Sequence, residues 1–160
     1  MTTDLSGPSR RKHTILMATA AAVIAIDLAT KIAASAALAD RDIDLPGPLD
    51  LRLSYNPGVA FGMGTSTPTW LVLTLTGAVA VGIAVAAWRG LFASYIAAGV
   101  VVGGALANVA DRSQAGTVVD MLYTGWWPTF NLADVAIVCG AIALAATSWR
   151  AAPHEPTAEP

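Results

Sequence analysis

Charge is scarce in this chain. Only 12% of its 160 residues are Asp, Glu, Lys or Arg, while 55% are hydrophobic. An ordinary soluble domain carries about 25% charged residues. With a mean hydropathy of +0.59, the deficit excludes a conventional soluble domain and points to an integral membrane protein. Histidine and cysteine are almost missing. His13 and His154 stand in opposite polar tails, which speaks against a histidine-based metal site. Cys139 is the single cysteine, inside an apolar run, so no intrachain disulfide can form. The net charge is −2 and the basic residues form no stripe, so no nucleic-acid partner is expected.

What is present is a set of long apolar runs. Residues 1–13 read as a polar cytoplasmic tail closed by Arg10-Arg11-Lys12. Thr14–Leu38 is then long enough to cross ~30 Å of hydrocarbon. A cleavable signal peptide shares the basic start, the apolar run and small residues at Ala37-Leu38-Ala39. Asp27 and Lys31, wedged between run and site, fit that reading poorly. They lie four apart on one helix face with the acid first, the favourable order for an ion pair. Three further spans are expected at Thr69–Trp88, Leu91–Ala110 and Asn131–Trp149, with Trp70 and Trp88 as interfacial anchors. Gly99, Gly103 and Gly104 would let the third helix approach its neighbours closely. Four spans bring both termini to one side, together with Arg10, Arg11, Lys12, Arg89 and Arg150, and positive charge marks that side as cytoplasmic.

The loops on the other side carry structure of their own. Asp40, Asp42, Asp44 and Asp50 read as a solvated acidic patch. Leu49–Tyr55 alternates polar and apolar residues, the period of a half-buried strand, and Asn56-Pro57-Gly58 reads as a turn. Thr117–Tyr123 is rich in β-branched and aromatic residues and reads as a second strand. The expected fold is therefore an integral membrane α-helical domain over residues 14–149. It has four transmembrane helices and a small extracytoplasmic β-sheet platform. Extracytoplasmic segments fall at about 39–68 and 112–130, and a second cytoplasmic tail covers 150–160.

Two acids stand where an apolar residue would cost less: Asp120 on the second strand and Asp134 at the start of the last helix. Asn131 suits an N-cap and Asp134 the N3 position, so a capping box alone would explain Asp134. Asn108, Asp111 and Arg112 share a helix face and reach the same membrane surface. Two neighbouring carboxylates cannot both ionise comfortably and share a proton. Such a pair can activate water while polarising a carbonyl.

Four blocks, in order, carry a resemblance: Asp27-Leu-Ala-Thr-Lys31; Asn56-Pro-Gly-Val-Ala-Phe61; Gly103-Gly-Ala-Leu-Ala-Asn108-Val-Ala-Asp111-Arg112; and Val118-Val-Asp120 with Phe130-Asn131-Leu-Ala-Asp134. In these the chain resembles the lipoprotein signal peptidases (signal peptidase II), with Leu28 and Ala29 replacing more polar residues of the first block. The family keeps its first helix. The resemblance implies a cofactor-free, metal-free aspartic endopeptidase of the bacterial cytoplasmic membrane, with its active site toward the outer face. Its substrate would be a diacylglyceryl-modified prolipoprotein, cut just before the lipidated cysteine. By the same resemblance Asp120 and Asp134 are the catalytic pair, and Asn56, Asn108, Arg112 and Asn131 line the site and position substrate. Asp27, Lys31, Gly58, Phe61, Gly104 and Asp111 give structural support. Membrane lipid and the inhibitor globomycin are the implied partners of a monomer.

Two other readings stay open on the residues alone. Ser35 lies one turn beyond Lys31, which allows a serine–lysine peptidase. Intramembrane acids could also serve a proton path in a transport subunit.

Overall fold

The computed structural model describes residues 7–57 and 68–151; Gly58 and Phe61 lie outside the described residues. Four helices and two strands follow one another: α1 (Gly7–Ala37), β1 (Asp50–Asn56), α2 (Thr69–Trp88), α3 (Tyr95–Ala115), β2 (Val118–Tyr123) and α4 (Leu132–Ala151). The strands lie within a residue or so of the expected ones. Helix α1 does not wait for the apolar run at Thr14. It starts at Gly7, so Arg10, Arg11 and Lys12 are helical. Nothing between Pro8 and Thr14 breaks a helix, and extending one already nucleated adds a hydrogen bond for each residue fixed.

Helix α3 begins later than its apolar run. Leu91, Phe92 and Ala93 are still loop, and the Ser94 hydroxyl accepts from the Ala97 N–H at 3.1 Å, an N-cap. At the other end Gly116, in the left-handed region at φ +72°, closes the helix. Among the described residues three helices, α1, α2 and α4, are long and apolar enough to cross a membrane. Helix α3 is as long as α2 but carries Asn108, Asp111, Arg112 and Gln114 in its last turns. Its place explains the tolerance: α1, α2 and α4 all pack on it, and eleven of its 21 residues are buried. A central helix is solvated by protein rather than by lipid.

Glycine makes that centre possible. A methyl group at Gly103 would stand 2.7 Å from the Ala20 carbonyl oxygen of α1, and one at Gly104 would stand 2.6 Å from the Ala133 carbonyl oxygen of α4. Side-chain-free faces let the backbones meet, as is common where lipid removes the hydrophobic drive to pack. The exposed helix surface is apolar, and the tryptophans sit at its two rims. Trp70 and Trp126 are exposed at the end that carries the sheet, Trp88 and Trp149 at the other.

Strands β1 and β2 pair antiparallel with Ser54 opposite Asp120 and Asn56 opposite Val118, after an irregularity between Leu51 and Ser54. Phe130 bridges back to Leu122, its N–H donating to the Leu122 carbonyl at 3.0 Å. That return folds the segment between β2 and α4 into a loop with close ends. The acids of the 40–50 segment are less solitary than expected. Asp42, Asp44 and Asp50 each lie 3.8 Å from Arg52, whose guanidinium sits over the Tyr123 ring. These contacts are exposed and long, so each contributes little.

Candidate active site

Asp120 is carried on β2 with only 1% of its surface exposed. Cross-strand geometry supplies its first donor. Asn56 is the diagonal neighbour on the same sheet face, and its Nδ2 donates to Asp120 Oδ2 at 3.1 Å. The Phe130–Leu122 bridge supplies the second. It brings Asn131 beside β2, and Asn131 Nδ2 donates to Asp120 Oδ1 at 2.6 Å. Burial pushes the Asp120 carboxyl up to about 6. The Asn131 amide opposes this, the negative charge of Asp134 adds to it, and Asn56 opposes it in turn.

Asp134 is held by the start of its own helix. Asn131 Oδ1 accepts from the Asp134 N–H at 2.9 Å, and the Asn131 N–H donates back to Asp134 Oδ2 at 3.3 Å. This reciprocal pair is a capping box. The other carboxylate oxygen, Oδ1, accepts from Asn108 Nδ2 of α3 at 2.8 Å. Capping and chemistry are therefore not rival explanations of Asp134. The cap fixes the backbone while Asn108 fixes the side chain.

Behind Asn108 lies a buried polar cluster. Lys31 Nζ donates to Asn108 Oδ1 at 3.1 Å and pairs with Asp27 at 2.6 Å and Asp111 at 2.7 Å. Three partners match the three N–H groups of an ammonium. A lysine committed to two carboxylates is a poor general base, which removes the chemical basis for a Ser35–Lys31 pair. Asp27 does more than balance Lys31. Its Oδ1 accepts from the Ala133 N–H of α4 at 2.8 Å. The first helix thus satisfies one of the orphan donors at the start of the last.

The structure brings together every described candidate, but in two roles. Asn108 and Asn131, 3% and 0% exposed, use both ends of their side-chain amides inside the protein. They hold Lys31 and the acids in register. Asn56 is only half-buried and also lines a cavity beside Asp134. Arg112 lies within electrostatic reach of Asp134, Asp120 and Asp111. Gly104 lets α4 start against α3. Among the described residues no group of three or more His, Cys, Asp or Glu could hold a metal ion.

The cavity of about 580 Å³ was not anticipated from the sequence. Its walls are the 124–130 loop and the Asp134, Val135, Val138 and Cys139 strip of α4. Helical spacing alone, one, four and five residues on from Asp134, could have found that strip.

The family model described as Signal peptidase (SPase) II matches residues 19–150. The chain belongs to the signal peptidase II family. Segments of it are similar to proteins named lipoprotein signal peptidase. The one from Syntrophomonas wolfei is 55% identical over 49 residues, 31% of this chain and 33% of that protein. The one from Rhodococcus jostii is 54% identical over 52 residues, 29% of this chain and 26% of that protein. The one from Methylorubrum extorquens is 46% identical over 68 residues, 40% of each. The matched segments therefore span between about a quarter and two fifths of these relatives' length. The fold is matched more widely. A solved bacterial membrane enzyme superposes with a TM-score of 0.71 at 24% identity, over 89% of this chain and 94% of that one. A second gives a TM-score of 0.66, also at 24% identity, over 82% and 90%.

Proposed function

We propose that this signal peptidase II family member is an aspartic endopeptidase acting on diacylglyceryl-modified bacterial prolipoproteins. It would cut the signal peptide just before the lipidated cysteine. One observation carries the reading most. Two carboxylates from different elements, Asp120 and Asp134, are each held by two N–H donors beside an apolar cavity at one end of a membrane bundle.

The chemistry follows from the environment of the pair. Mutual repulsion and burial favour one shared proton, so the pair titrates as a unit. The ionised carboxylate takes a proton from water as it attacks the scissile carbonyl. The protonated one donates to the carbonyl oxygen; as the C–N bond breaks, the carboxyl that took water's proton passes it to the leaving amine, and the other recovers a proton from a hydroxyl of the tetrahedral intermediate. Fixed amide donors keep both carboxylates aimed without reorganisation in the transition state. Asn56 and Arg112 are the groups that meet the substrate backbone. A guanidinium can fork two bonds to peptide carbonyls.

In this reading the sheet faces outward from the bacterial cytoplasmic membrane. Arg10, Arg11, Lys12, Arg89 and Arg150 mark the opposite, cytoplasmic end, with both termini there. The protein acts as a monomer, needs no metal, and is blocked by globomycin in the same cleft. The test is to incubate purified protein with a prolipoprotein in lipidated and unlipidated form and weigh the products. A product beginning at the lipidated cysteine, formed slowly or not at all from the unlipidated chain and insensitive to chelators, is expected. Inhibition by a chelator, or proton flux through proteoliposomes without any cleavage, would contradict it.

A further inference from the structure

The end of the bundle away from the sheet carries cations that the protein itself does not answer. Arg10, Arg11 and Lys12 of α1, Arg89 at the close of α2 and Arg150 of α4 are all exposed. Among the described residues none of them forms an ion pair, whereas Lys31 and Arg52, nearer the sheet, lie against carboxylates. No described acid stands near these cations. Along α1 the first is Asp27, about four turns on from Lys12, and Asp111 and Asp134 lie at the sheet ends of α3 and α4. Two of the cations meet at one corner. The His13 ring stacks on the Trp88 indole at 3.8 Å, and its Nε2 donates to the Trp88 carbonyl oxygen at 3.2 Å. Beside it, Lys12 Nζ lies 5.5 Å from the centre of the Tyr95 ring. Tyr95 overhangs the α2–α3 turn, where a methyl at Gly90 would stand 3.6 Å from its hydroxyl. Consecutive residues of α1 thus grip both sides of that turn, and Lys12 and Arg89 flank the bare Gly90. Trp88 is 56% exposed. An exposed tryptophan at the end of a span sits at headgroup depth, so these two cations lie at the level of lipid phosphates.

We propose that this corner binds an anionic phospholipid, its headgroup phosphate held between Lys12 and Arg89 and its acyl chains running down the apolar sides of α1 and α2. The inference goes beyond the peptidase reading and does not depend on it. Charge selects the occupant. A phosphate accepts charge-assisted hydrogen bonds from an ammonium and a guanidinium together, and a zwitterionic headgroup carries its own cation to cancel that attraction. The apolar flanks select a lipid over a soluble anion. The bound lipid ties the start of α1 to the α2–α3 turn, and α1 is the helix that carries Asp27 and Lys31 to the polar cluster behind the acids.

The experiment titrates the full chain in neutral detergent with dioleoylphosphatidylglycerol or dioleoylphosphatidylcholine and counts retained lipid by native mass spectrometry. Wild-type protein should hold one phosphatidylglycerol about thirtyfold more tightly than phosphatidylcholine, and Lys12→Gln or Arg89→Gln should each cut that preference about fivefold. The double variant should lose it altogether. Retention of phosphatidylcholine should stay the same throughout, which shows each variant folded. Arg150→Gln removes a cation at the same end that takes no part in these contacts, and should leave the preference nearly intact. Equal loss in Arg150→Gln and Arg89→Gln would reduce the site to diffuse attraction and overturn it. Equal affinity for the two lipids, or a preference unmoved in the double variant, would overturn it as well. Displacement of the lipid by inorganic phosphate at equal concentration would overturn phospholipid as the occupant.

Discussion

Asn131 is the residue on which the two acids depend together, and a substitution series can separate its jobs. Its side-chain amide donates to Asp120 at 2.6 Å, and its side-chain oxygen accepts from the Asp134 N–H at 2.9 Å. Asn131→Ser keeps a good N-cap but is too short to reach Asp120. A hydrogen bond to a charged group contributes about 1.5–3 kcal/mol. Since 1.36 kcal/mol corresponds to one pKa unit, its loss should raise the Asp120 pKa by roughly one to two units. The wild-type value is about 6, so the acid limb of the pH–rate profile should move from near 6 toward roughly 7–8. Asn131→Ala removes the cap as well and should lose about a further 1 kcal/mol of stability. Asn131→Asp keeps the cap but sets a third carboxylate against the pair, and should be inactive at neutral pH. The assay is a pH–rate profile on lipidated prolipoprotein beside thermal unfolding by tryptophan fluorescence. An acid limb left in place in Asn131→Ser would reduce Asn131 to a helix cap and refute the reasoning.

Three further outcomes follow from the same geometry. Gly104→Ala should lose about 1–3 kcal/mol of stability by overpacking and also most of its turnover, because its new methyl meets the carbonyl that precedes Asp134. Normal turnover at a lowered Tm would break that link. Asp27→Ala should lower Tm and turnover together, since the Ala133 N–H loses its acceptor. Asp27→Asn keeps an acceptor there and should recover much of the loss, and no difference between the two would remove the capping role. For pH, the folded protein holds the Asp120 proton more tightly than the unfolded chain does, because burial raises its pKa from 3.8 to about 6. Activity should therefore rise with pH through about 6, while stability falls from about pH 4 to about 6. Asp120→Asn should flatten that stability slope, as seen in Tm measured against pH.

The reach of the sequence differed from element to element. Strand and helix positions were legible because period and apolar length are local properties. The capping box was legible too, since Asn131 and Asp134 are three apart. The Asp27 bond to the Ala133 N–H joins residues 106 apart, and no local pattern announces it. The roles of Asn108 and Asn131 were blurred for the same reason. An amide near two acids reads equally as a substrate contact or as a holder, and burial separates the two. The Lys31 cluster shows how the fold decides between chemistries. Spacing alone makes Ser35 plausible, but Asp27, Asp111 and Asn108 surround the ammonium. The third helix looked like an ordinary span, and its packing on three neighbours reveals why it tolerates so many polar residues.

The central claim is that Asp120 and Asp134 together activate water. The most direct measurement is the initial rate of cleavage of a diacylglyceryl prolipoprotein by wild-type protein, Asp120→Asn and Asp134→Asn, each shown folded by its unfolding transition. An amide keeps the shape of the side chain but cannot exchange the proton. Both variants should lose essentially all cleavage. A rate above about a tenth of wild type in either, a barrier change of only ~1.4 kcal/mol, would contradict the dyad.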